Sequence, residues 1–260
     1  MQSIKKIVII GAGSLATNLA LALHHNGLQL LQIVNRTLLN ATILAERVNA
    51  SAANNLAEID LNADLYIIAV ADAGISEVLK NLQLKDKLVV HTAGTIEMEV
   101  LKSVSCNFGV FYPLQTFSKT DITAFDKIPI CIEANSPENA HLLIELGEKL
   151  SKNVQTITSS QRKMLHISAV FACNFSSYMH LIAHQLLTEN QLSFELLQPL
   201  ILRTAEKVQI LQPEDALTGP ARRNDTAVMD EHLQLLSNHT EFQAIYKLIS
   251  DYIVKHYHQS

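Results

Sequence analysis

The stretch Lys6-Ile7-Val8-Ile9-Ile10-Gly11-Ala12-Gly13-Ser14-Leu15-Ala16 decides the fold. A hydrophobic strand runs straight into G-x-G-x-x-A and then into an amphipathic helix, the order that a dinucleotide-binding β-α-β unit requires. Gly11 permits the tight turn, and Gly13 lets a pyrophosphate approach the backbone. Ala16 keeps the helix close to the sheet, and the free amides at the helix start, around Ser14 and Leu15, hold the anion. Gly27 follows His24-His25 where this helix should stop, which fits a left-handed C-terminal cap.

Outward from this unit, short β-branched runs alternate with helical stretches as far as about Thr158. The expected strands are Lys6–Ile10, Leu30–Val34, Asp64–Val70, Leu88–His91, Gly109–Phe111, Pro129–Glu133 and Val154–Ile157. After Ser159 no strand-like run remains, and apolar residues recur at helical spacing over Gln161–Thr188, Phe194–Leu211, Thr226–Leu236 and Phe242–Tyr257. Pro213 and Gly219-Pro220 interrupt these helices with a polar segment, Gln212–Asn224. The expected architecture is α/β: a Rossmann-type, mostly parallel sheet domain over residues 1–158, then an all-helical domain over 159–260.

Composition narrows the function. The chain has 260 residues, 48% of them hydrophobic, enough for two modest cores. Its start is too short in apolar residues for a signal peptide or a membrane span, so a cytoplasmic protein is expected. Twenty basic residues against 25 acids, with the basic pairs far apart in sequence, argue against nucleic acid. Cys106, Cys131 and Cys173 are odd in number and lie in apolar stretches, as reduced core thiols do. Among 11 histidines, His180 and His184 stand at i, i+4, but a bare pair lacks further ligands, and His166 lies about 27 Å from His184 along a helix axis. No metal is expected.

At the end of the second strand, where NAD-binding domains usually place an acid for the ribose, stands Asn35-Arg36-Thr37. A guanidinium there attracts a 2′-phosphate, so NADP(H) is expected in preference to NAD(H). Ligands in such sheets bind outside the carboxyl ends of the strands, which adds Val70-Ala71-Asp72 and His91-Thr92-Ala93-Gly94 to the cofactor residues. Asp72 either caps the following helix or touches ligand; His91 is either a packed strand-end histidine or a nicotinamide neighbour.

These segments, with Phe111-Tyr112-Pro113-Leu114-Gln115-Thr116-Phe117 and Gly219-Pro220-Ala221-Arg222-Arg223-Asn224-Asp225, resemble a family of NADP oxidoreductases with a Rossmann-like N-terminal domain and a helical C-terminal domain of unknown function. The resemblance covers nearly the whole chain. More distantly, the layout is similar to pyrroline-5-carboxylate reductase, ketopantoate reductase, prephenate dehydrogenase and the 3-hydroxyacid dehydrogenases. That kinship implies hydride transfer at a cleft between the domains, and a dimer formed through the helical one. Two departures matter: the lysine and asparagine of the hydroxyacid dehydrogenases fall in a stretch that here reads Lys163 to Asn174, and Tyr112 stands where prephenate dehydrogenase has histidine before proline.

Hydride transfer needs a proton donor or acceptor and a group that orients the substrate. At about 100° per residue, Lys163, His166, Val170, Asn174 and Ser177 fall within roughly an 80° arc of one helix. His166 is the first choice for acid/base work because its unperturbed pKa lies near neutrality; the alternative is a buried, hydrogen-bonded histidine. Lys163 and Asn174 would orient the substrate. Tyr112, Gln115 and Thr116 follow a strand end as substrate-facing residues, and Arg222, Arg223, Asp225 and His232 form a candidate anion pocket at a helix start. The expected activity is NADP(H)-dependent hydride transfer to or from a small anionic carbonyl, imine or hydroxy-acid substrate. The alternatives are a non-catalytic NADP-binding regulator or sensor and a dimerisation protein with a vestigial site.

Overall fold

A computed structural model describes residues 3–258, which divide into two compact units at Cys173/Asn174. The first is built on one eight-stranded sheet of order β3-β2-β1-β4-β5-β6-β7-β8. Its strands are β1 (Lys6–Ile10), β2 (Gln29–Val34), β3 (Ser51–Ala53), β4 (Leu65–Ile68), β5 (Lys85–His91), β6 (Ser105–Pro113), β7 (Ile130–Ala134) and β8 (Val154–Thr156). Every pairing is parallel except β6 with β7. The strand order reverses direction at β1, so the switch point lies between β1 and β4, where sheets of this kind bind ligands.

Parallel strands covered on both faces read as continuous apolar runs, and β1 shows why. Ile7 and Ile9 face one core with Leu19 and Leu23 of α1 (Ser14–His25), Leu44 of α2 (Leu38–Arg47) and Leu146 of α4 (Pro137–Leu150). Val8 and Ile10 face the other, with Ile75 of α3 (Asp72–Lys80), Leu101 and Tyr112. Ile7, Val8 and Ile9 are wholly buried, which stabilises the fold by about 1.5–3 kcal/mol per side chain.

The sequence missed β3, a three-residue edge strand, and most of β6, whose polar start at Ser105, Cys106 and Asn107 does not look like a strand. Gly27 has the expected positive φ, 77°, and its N–H closes α1 on the His24 carbonyl. The division between units falls inside the helical stretch after Ser159. There α5 (Ser159–Ala169) is followed by a π-helical turn, Val170–Phe175, and then α6 (Ser176–Glu189). The i→i+5 pattern of that turn breaks the regular 100° spacing, so the arc expected for Lys163, His166, Asn174 and Ser177 does not carry through it.

The second unit continues with α7 (Gln198–Ile210), α8 (Pro213–Ala216), α9 (Thr226–Leu235) and α10 (Thr240–His258). It is all-helical, as expected. No helix among the described residues is long and apolar enough to cross a membrane.

Candidate functional site

The glycine loop leaves β1 at Gly11, whose φ of 127° suits glycine, and a Cβ there would lie 2.1 Å from the Ala69 carbonyl oxygen at the end of β4. Gly13, the N-cap of α1, is different: its φ is −79° and a Cβ would meet nothing within 4 Å. Open space thus faces the first-turn amides of Ser14, Leu15 and Ala16, which lack intrahelical acceptors, and Ala16 is wholly buried against the sheet.

Past β2, Asn35 is occupied with its own loop, its N–H donating to the Ala53 carbonyl and its side-chain amide to the Thr37 carbonyl at 3.0 Å. Arg36 is exposed and makes no ion pair among the described residues, and Thr37 caps α2 without using its hydroxyl. Past β4, the exposed carboxylate of Asp72 opens α3 and accepts a hydrogen bond from the Thr95 hydroxyl, with Val70 and Ala71 before it. A dinucleotide fits these features: an open loop for pyrophosphate, with an exposed cation and hydroxyl beyond β2.

Past β5, His91 has no exposed surface. Its Nδ1 accepts the Ala93 N–H at 3.1 Å and its Nε2 lies 3.4 Å from the Glu97 carbonyl. Burial, with the Arg162 cation second, pushes its pKa down to about 4, so the ring is neutral. Of the two readings left open for His91, the packed one describes this geometry. The side chain folds the loop that presents Thr92, Ala93 and Gly94, all buried.

The same edge of the sheet carries the groups suited to proton transfer. Thr158 and Gln161 form a capping box that starts α5, and two turns later His166 Nδ1 lies 3.1 Å from the hydroxyl of Tyr112 at the end of β6. Burial pushes the Tyr112 phenol up to about 12, so it stays protonated; a hydroxyl can donate to a neutral Nδ1, and that arrangement leaves the imidazole hydrogen on Nε2. Gly94 sits against this pair: a Cβ there would lie 2.6 Å from His166 Nδ1 and 3.1 Å from the Tyr112 hydroxyl. Lys163 is ion-paired with Glu97, both side chains partly exposed.

Arg162 and Glu133, which sequence reasoning passed over, complete the cluster. Arg162, fully buried, pairs with Glu133 of β7, and its Nε has no hydrogen-bond partner among the described residues, a cost of about 1–3 kcal/mol. The available signal was an acid ending an apolar strand and an arginine in the first turn of a capped helix. Asn18 of α1, also passed over, donates to the Ser118 carbonyl at 2.7 Å and accepts the Thr123 N–H at 2.9 Å, holding the loop after β6. Within that loop Gln115 and Thr116 are exposed and bond each other, and Phe117 stacks on Phe125.

In the second unit, the expected anion pocket is largely committed to internal contacts. Asp225 caps α9 through the Val228 N–H, His232 Nδ1 lies 2.8 Å from the Tyr246 hydroxyl, and the Arg222 guanidinium lies 3.7 Å from the Tyr257 ring centroid. Arg223 is exposed, and Asn174 opens the unit.

Residues 128–253 match the model of a domain of unknown function, DUF2520, and residues 1–92 that of shikimate / quinate 5-dehydrogenase. A crystal structure from Bacteroides fragilis, named putative NADP oxidoreductase, shares 42% identity over 97% of this chain and 98% of its own, with a TM-score of 0.92. A 1-pyrroline-5-carboxylate reductase from Streptococcus pyogenes shares the fold, at 17% identity and a TM-score of 0.64 over 96% of this chain and 98% of its own. Glutamyl-tRNA reductase of Listeria monocytogenes is 24% identical over 162 residues, 62% of this chain and 36% of that protein, so the match spans about a third of the curated relative. Through its identity and near-complete overlap with the Bacteroides fragilis protein, the chain belongs to that oxidoreductase family, a Rossmann-type α/β domain followed by a helical one.

Proposed function

We propose that this chain is an NADP(H)-dependent oxidoreductase acting on a small anionic carbonyl, imine or hydroxy-acid substrate. The observation that carries the reading is the Tyr112–His166 hydrogen bond, set at the carboxyl edge of the sheet whose glycine loop stands open at Gly13. The loop amides take the pyrophosphate, and Arg36 with Thr37 takes the 2′-phosphate. When bound, the nucleotide supplies or accepts a hydride at its nicotinamide ring.

His166 Nε2 delivers or removes the balancing proton, while Tyr112 holds Nδ1 and so fixes the tautomer. A substrate carboxylate takes Lys163 in exchange for Glu97, an exchange between partly exposed groups that disturbs the fold little. Gln115 and Thr116 are the further candidates for bonding it or the ribose.

Two wider readings accompany this one. Leu200, Leu202, Ile210, Leu235, Leu248 and Tyr252 of the helical unit are each more than half exposed, and we propose that a second copy of the chain covers them. A monomer by light scattering contradicts that homodimer. The free thiols of Cys106 and Cys131 suit a reducing cytoplasm.

The test is loss of NADPH absorbance with a panel of 2-keto acids and cyclic imines. Turnover in the wild type that His166→Ala abolishes supports the reading. Nucleotide binding with no turnover across carbonyl, imine and hydroxy-acid substrates, assayed in both directions, supports the non-catalytic sensor instead.

A further inference from the structure

Arg162 lies one helical turn before His166 and has no exposed surface. Its Nη1 donates to Glu133 Oε2, and its Nη2 to the Ile96 carbonyl and to the Ser159 hydroxyl oxygen at 3.0 Å. Ser159 in turn donates its N–H to Glu133 Oε1 at 2.9 Å and its hydroxyl to Oε2 at 2.8 Å. One closed network thus joins the end of β7, the loop after β5 and the first turn of α5.

Those three elements carry or adjoin the parts of the proton-transfer pair. The loop holds Gly94 against His166, α5 holds His166 itself, and β7 pairs with β6 so that Cys131 stands opposite Tyr112. The fit at Gly94 has little slack, because even a methyl group there would lie 2.6 Å from His166 Nδ1. A shift of the loop toward the helix would drive Gly94 into the imidazole and the phenol hydroxyl together.

We infer that Arg162, with Glu133 and Ser159, is a positioning centre that sets the Tyr112–His166 hydrogen bond and hence the tautomer His166 presents to substrate. This inference rests on the reading of that pair given above. A buried ion pair is a poor device for stability alone, since apolar residues of similar volume often serve as well. The partnerless Nε of Arg162 makes this one worse in that respect. What apolar packing does not supply is a fixed register of loop, strand and helix, held by directional bonds to all three. The Arg162 cation also lowers the pKa of the Tyr112 phenol against the larger effect of burial, so it reaches the pair electrostatically as well.

The test separates positioning from stability by removing the pair whole. In Arg162→Met the partly buried Glu133 carboxylate is left without its cation and the melting temperature falls; in Arg162→Met/Glu133→Leu the stability returns. The readouts are melting, NADPH titration, and the ring nitrogen-15 shifts of His166, which distinguish a hydrogen-bond-accepting Nδ1 from a tautomer mixture without any substrate. The expected result is a double variant that melts and binds NADPH like the wild type, while His166 Nδ1 moves to a mixed-tautomer shift, matching Tyr112→Phe. Ser159→Ala, which removes one link of the network, moves the shift the same way by less and serves if the double variant does not fold.

A folded double variant with the wild-type His166 signature overturns the inference, as does a Ser159→Ala variant with no shift at all. If Tyr112→Phe leaves the wild-type signature unchanged, the pair is not bonded in solution and the functional reading falls with the inference. If Tyr112→Phe shifts it and the network variants do not, the inference alone falls.

Discussion

Two glycines two residues apart in the same motif should respond oppositely to the same substitution. At Gly13 the backbone is extended, with φ −79° and ψ −175°, and the space for a Cβ is empty. Alanine there gains about 0.4–1 kcal/mol through the unfolded chain. Against this, alanine is a weaker N-cap than glycine by a similar amount. The two effects offset, and the melting temperature should move by no more than about 2–4 °C. At Gly11 the added Cβ lies 2.1 Å from the Ala69 carbonyl oxygen at a φ of 127°. Forcing an atom into such a site costs about 1–3 kcal/mol before backbone strain is added. Binding divides the other way, since the methyl of Gly13→Ala occupies the approach to the loop amides. Losing one charge-assisted amide–phosphate bond, worth about 1.5–3 kcal/mol, weakens NADPH roughly tenfold to hundredfold. Scanning and titration calorimetry on both variants read the two effects. A Gly13→Ala protein that melts as low as Gly11→Ala, or that binds NADPH like the wild type, refutes the reasoning.

Gly94→Ala places a methyl between His166 and Tyr112; the imidazole is partly exposed and swings aside, so stability falls by no more than about 1 kcal/mol. Turnover drops on the order of a hundredfold while NADPH still binds; unchanged turnover contradicts the role of the pair. Glu97→Gln releases Lys163, so KM for a carboxylate substrate falls at unchanged melting temperature, and a raised KM removes Lys163 from substrate binding. His91 titrates near 4 when folded against 6.5 unfolded, so its contribution is full above pH 6.5 and is lost as pH falls toward 4. That loss amounts to roughly 3 kcal/mol, and urea melts at pH 7, 5.5 and 4 should show a shallower decline in His91→Gln than in the wild type; parallel declines contradict it.

The strand, turn and helix of the candidate cofactor site were legible because their signals are local. The path from Lys6 to Ala16 fixes strand, turn and helix within one short segment, and Arg36 follows β2 directly. Tyr112 and His166 were each singled out, but in different roles, since their hydrogen bond spans 54 residues and depends on how α5 settles on the sheet. Arg162 and Glu133 were hidden for the same reason, with charges that mark a solvated surface by composition but find each other inside. Lys163 illustrates the converse: sequence shows the cation and not the Glu97 that occupies it. The π-helical turn at Val170–Phe175 has no simple sequence signature, and it breaks the regular projection that grouped Asn174 with His166.

The most direct test of the account is a calorimetric titration of NADPH and NADH into the wild type and Arg36→Ala. The account predicts tighter binding of NADPH by the wild type and no preference in the variant, because Arg36 is the uncommitted cation past β2. Failure of either nucleotide to bind at millimolar concentration, or a preference that survives the substitution, would contradict it.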